Sequence, residues 1–148
     1  MAKAKYLIII MLAGLVWTIS CERRTSVRIE GGNQPTFFLS GSGKLGTVIV
    51  YGPDQEKIAD NDPTDKTYAL WELEPITKGE STAPSVEGLT VTYGVTLPGY
   101  KQVIPKTGQA PPLVQGKRYR YWFITINAPG GSGYFEIVSG KAVAVDGP

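Results

Sequence analysis

Histidine is missing from the chain altogether, and cysteine occurs once, at position 21. Without histidine there is no Ser-His-Asp or Cys-His catalysis, no haem held by histidine and none of the common zinc sites. With one cysteine there is no internal disulfide. An excess of charge is also missing. The formal +2 (15 Lys+Arg against 13 Asp+Glu) resides wholly in Lys3 and Lys5, so the chain beyond its first residues is neutral. A neutral domain lacks the basic patch or stripe that phosphate contacts need, which argues against nucleic acid as a partner. Helical periodicity is absent too: past Cys21 no stretch carries apolar residues at i, i+3, i+4 and i+7 over three turns.

What is present begins with a three-zone leader. Ala2-Lys3-Ala4-Lys5 is basic, Tyr6 to Ile19 is apolar and uncharged, and Ser20 is small. This is the build of an export signal. The apolar run is shorter than a spanning helix wants, and only Arg23 and Arg24 follow it as basic residues, which argues against an uncleaved anchor. The lone cysteine closes the run, where no disulfide partner exists. Trp17-Thr18-Ile19-Ser20-Cys21 resembles a relaxed bacterial lipobox, with Thr18 and Ile19 in place of the commoner leucine and small residue. The resemblance implies a signal peptide over 1–20, lipid (palmitate among the acyl chains) on Cys21, and residues 21–24 as a short tether. Several acyl chains, each adding about 0.8 kcal/mol per buried methylene, make a stable anchor. By analogy with lipoprotein sorting, Glu22 in place of aspartate favours the outer membrane in a diderm. The plainer alternative is an ordinary signal peptide cut near Ser20, with Cys21 an incidental thiol.

Residues 25–148 are of a size for one domain able to fold without staples. Eighteen glycines and eleven prolines punctuate runs rich in Val, Ile, Thr, Tyr and Phe. That is the pattern of an antiparallel sandwich or barrel. The expected strands are Ser26 to Glu30, Thr36 to Ser40, Gly46 to Tyr51, Thr67 to Leu73, Leu89 to Leu97, Arg118 to Asn127, and Tyr134 to Val145 with a break near Gly140. Seven strands suit an immunoglobulin-like sandwich. The Pro-rich stretch from Pro105 to Pro112 reads as a long connection.

Leu113-Val114-Gln115-Gly116-Lys117-Arg118-Tyr119, followed by the run from Arg120 to Asn127, resembles the tyrosine corner of fibronectin type III domains. The resemblance gives Tyr119 the structural role: its hydroxyl would bond upstream backbone and lock the crossing between sheets. Trp71-Glu72-Leu73, Tyr93-Gly94, Leu97-Pro98-Gly99-Tyr100 and Pro105 are also similar to bacterial envelope lipoproteins, a likeness that brings no activity with it.

Three motifs invite chemistry. Gly41-Ser42-Gly43-Lys44-Leu45-Gly46 fits the dinucleotide fingerprint by letter, but the run Thr47 to Tyr51 follows it, and that fingerprint must open a helix. A glycine-rich hairpin turn explains it better. Asp60, Asp62 and Asp65 are the candidate ligands for calcium, the one cofactor the sequence suggests. They do not form an EF-hand loop, since glycine is missing at its turn and Glu72 falls one position beyond its closing residue. An Asp/Asn-Pro surface loop is the plainer reading of the same letters and the preferred one. Glu72 and Glu74, on one face of a strand, have the pairing of glycosidase carboxylates but suit a solvated face.

The remaining signal is aromatic. Alternation puts Trp122 on one strand face with Arg118, Arg120, Ile124 and Ile126, and Tyr119, Tyr121 and Phe123 on the other. If Tyr119 points inward, Trp122 and the two arginines form an outer face of hot-spot or sugar-stacking composition, a candidate surface for a protein or glycan partner. Alternatively a loop, such as the Pro-rich connection, folds over Trp122. The expectation is a non-catalytic, lipid-displayed module, not an enzyme. A metal-dependent or Ser-Lys enzyme is the competing reading, though no Ser-x-x-Lys appears in a helical setting.

Overall fold

The computed structural model describes residues 22–53, 65–77 and 82–147, and these form an all-β sandwich of two antiparallel sheets. The strands are β1 (Ser26–Glu30), β2 (Thr36–Ser40), β3 (Lys44–Tyr51), β4 (Ala69–Pro75), β5 (Thr90–Thr92), β6 (Tyr100–Ile104), β7 (Arg118–Ile126), β8 (Gly131–Val138) and β9 (Lys141–Val145). A small sheet, β1-β2-β5, faces a large one, β6-β4-β3-β7-β8-β9. Without β6 and β9, three strands face four, β1-β2-β5 against β4-β3-β7-β8, which is the fibronectin type III-like arrangement.

Among the described residues nine strands stand where seven were expected. The run from Tyr134 divides into β8 and β9. β6, Tyr100-Lys101-Gln102-Val103-Ile104, is not among the expected strands, because five residues between Gly99 and Pro105 offer little alternation. The expected strand Leu89 to Leu97 shrinks to β5, since Gly94 turns the chain at φ 77°.

Burial explains which runs pair where. In β1 the half-buried Val27 and Ile29 alternate with exposed Ser26, Arg28 and Glu30, as in a strand with one face covered. β3 lies between β4 and β7, and Val48, Ile49, Val50 and Tyr51 are all buried there, which is why its sequence is continuously apolar. Phe37 of the small sheet inserts into the large one. Its ring lies 5.5 Å from Tyr121, 5.4 Å from Phe123 and 5.8 Å from Phe135. On the β4 side Trp71 meets Tyr93 edge-on at 5.4 Å.

The β1 edge is tied to the large sheet at both ends. The Ala142 N–H donates to Gly31 O at 2.9 Å, and the Thr25 N–H to Pro129 O at 3.1 Å. The 41–43 turn is a corner between sheets rather than the hairpin the sequence suggested. Gly41 (φ 149°) and Gly43 (φ 90°) are required there, because a Cβ on the first would lie 2.9 Å from Thr25 Cα and on the second 2.8 Å from Ile126 O.

Candidate binding face

Strand β7 sorts its side chains in two directions. Tyr119, Tyr121 and Phe123 enter the core, and the Tyr119 hydroxyl accepts the Val114 N–H at 2.7 Å. This is the corner bond that the sequence pattern implied, with the phenol oxygen as acceptor. Arg118, Arg120 and Trp122 take the opposite face, which continues through Ile49 and Tyr51 of β3, Glu72 of β4 and Tyr134 of β8.

At the centre of that face Arg120 is stacked. Its guanidinium carbon lies 4.6 Å from the Trp122 ring centroid and 5.6 Å from that of Tyr134, which stands directly across the β7–β8 ladder. Arg120 is only 7% exposed, and its Nε is buried without a hydrogen-bond partner. Burying that one unpartnered donor costs hydration, which stacking of about 0.5–2 kcal/mol per ring offsets. Arg118 is spent differently, with its Nε donating to Glu136 Oε1 at 2.9 Å.

Trp122 is half-buried rather than fully presented, and Ile49 and Tyr51 beside it are 0% and 2% exposed. The face is therefore covered toward β3 and open toward β8. The Pro-rich connection is not what lies over Trp122. It packs at the other end of the sandwich, where Tyr93 donates its hydroxyl to Pro111 O at 2.8 Å and Gln34 donates to Tyr93 O at 3.0 Å. A cleft there is lined by Asn33, Gln34, Tyr93, Gly94 and Gln109. On the open side of Trp122 a groove runs between Arg24, Pro129 and Ser132.

The paired glutamates do not form the solvated face that their spacing suggested. Glu72 is 0% exposed and ion-paired with Lys66, whose ammonium also lies 3.6 Å from Glu74. One lysine thus holds both carboxylates, and Glu72 Oε2 is buried without a partner. Burial of Glu72 had no sequence signal, because its charged neighbour at i+2 reads as solvent. The Arg120 stack was half legible: alternation joined Arg120 to Trp122, whereas Tyr134 needed the strand register.

Asp65 Oδ1 accepts both the N–H of Thr67 at 2.9 Å and its hydroxyl at 2.6 Å, and these bonds hold its carboxyl below the usual carboxylate range. Asp60 and Asp62 lie outside the described residues, among which no group of three or more His, Cys, Asp or Glu could hold a metal ion. Cys21 and the apolar run before it also lie outside them. Among the described residues no helix is long and apolar enough to cross a membrane. No family model, curated protein or solved structure matches the chain.

Proposed function

We propose that the chain is a lipid-anchored protein of the bacterial cell envelope, with acyl chains on Cys21, that acts by binding and not by catalysis. The outer membrane is its proposed site in a diderm. Support for the anchor is the basic, apolar and small-residue leader ending in the only cysteine. The observation that carries the binding reading is the half-buried Trp122 ring lining a groove, with the Arg120 guanidinium carbon 4.6 Å from its centroid and 5.6 Å from that of Tyr134. Aromatic rings joined to arginine are the side chains that dominate contact energies when a partner excludes water from them. Among the described residues, Lys66, Arg118 and Asp65 are engaged with Glu72, Glu136 and Thr67, which favours binding over acid-base chemistry.

The partner is a protein or glycan of the envelope. A photoreactive phenylalanine analogue in place of Trp122, activated in growing cells, should give a discrete adduct of higher mass. The same residue in place of Thr90, on the outer face of the small sheet, should give none. Equal labelling at both positions, or none at 122, would overturn the assignment of this face.

A further inference from the structure

We infer that the domain is seated directly on lipid headgroups by one fixed end, the end formed by residues 22–25, the 41–43 turn, Ile76 and the 127–130 turn. This rests on the reading of Cys21 as the lipid-bearing residue. The expected tether of residues 21–24 is mostly used up in the fold. The Arg23 N–H donates to Ser42 Oγ at 3.0 Å, Arg23 O accepts the Ser42 N–H at 3.0 Å, and the Arg23 guanidinium pairs with Glu87 at 3.3 Å. Thr25 is bound in turn to Pro129 by its N–H at 3.1 Å. Only Glu22 separates Cys21 from the first tied residue.

Two residues reach about 7 Å when fully extended. A headgroup layer is about 5 to 8 Å deep on each side of the hydrocarbon. The lipid-bearing cysteine therefore cannot enter the bilayer unless this end of the sandwich rests on the headgroups. The surface brought down suits that position. Arg24 is exposed beside the tie point, and Ile76 is 64% exposed while its N–H is fixed to Gly99 O at 2.9 Å. A cation with an exposed apolar residue whose backbone is fixed is what an anionic interface attracts. The opposite end, with Val114 and the Tyr93 cleft, is held away by the length of β7, about 30 Å for its nine residues. The Trp122 groove, with Arg24 on its wall, opens close to the lipid surface.

The acylated Cys21 leaves an introduced cysteine as the only free thiol, so a fluorophore can be placed at Ile76→Cys or at Val114→Cys. Both residues are exposed, at 64% and 55%, and tolerate a label. The full-length lipidated protein is reconstituted in phosphatidylethanolamine/phosphatidylglycerol vesicles carrying headgroup-nitroxide lipid. Quenching should be several-fold stronger at 76 than at 114. Inserting about twelve Gly/Ser residues after Cys21, which span about 20 Å on average, should erase the difference. Equal quenching in the uninserted protein, with acyl chains confirmed by intact mass, would overturn the seating while leaving the anchor intact. A mass without acyl chains would overturn both.

Discussion

Tyr119 carries the hydrogen bond that closes the corner onto the Val114 backbone. In Tyr119→Phe the Val114 N–H would lose its acceptor in a partly buried setting, at a cost of about 1–3 kcal/mol. A urea midpoint unchanged from wild type would contradict that role. Arg120 makes the opposite case. Its Nε is buried and unpartnered, so Arg120→Met, which keeps the stem and removes the donors, should leave stability unchanged or raise it. Trp122→Ala, at a half-buried position, should cost less than the about 3–5 kcal/mol of a buried tryptophan. Large losses at both positions would make the cluster core rather than contact surface. The buried phenols set a pH limit. Burial pushes Tyr100, whose hydroxyl donates to Leu45 O at 2.6 Å, up to about 12 from 10.0, and raises Tyr93 and Tyr121 in the same direction. The fold holds the neutral phenol, so this stabilisation is complete below the unfolded value of 10.0 and is lost as pH rises from there toward 12. Urea midpoints should fall over that interval, and a flat profile would contradict the burial of these hydroxyls.

The 127–130 turn joins β7 to β8 and also holds Thr25, so a defect there tests an element and its neighbour together. A Cβ at Gly130 would lie 2.2 Å from Phe123 O, which is backbone and cannot swing aside. Gly130→Ala should destabilise by more than about 1–3 kcal/mol, the usual cost of overpacking. At Gly108 (φ 81°) nothing stands within 4 Å, and alanine should cost about 1–2 kcal/mol of backbone strain alone. Equal melting temperatures for the two variants would contradict the close approach. The same elements show how far the sequence could be read. β1 and β2 fall on their expected residues because their apolar positions alternate between turn residues. β6 was illegible because its pairing with β4 is tertiary: Lys101 stands opposite Glu74 and Gln102 opposite Leu73, and neither contact is encoded within five residues of chain. The corner at Tyr119 was legible because one local hydrogen bond dictates its residue types, whereas the Glu72–Lys66 pair joins two charges whose burial depends on what packs over β4.

At the scale of the whole molecule, the proposed anchor and the fold meet at Cys21. The lone cysteine follows a basic and then apolar N-terminal run, and the fold begins so soon after it that a lipid-bearing Cys21 would draw the sandwich onto the membrane. Cys21→Ala should then move the protein from the membrane to the soluble fraction without changing its unfolding midpoint, since the fold is closed from Arg23 onward. The most direct measurement is the intact mass of the protein extracted from the membrane fraction. The predicted result is a chain starting at Cys21 with the added mass of its acyl chains. A soluble wild-type protein with an unmodified Cys21 thiol would contradict it.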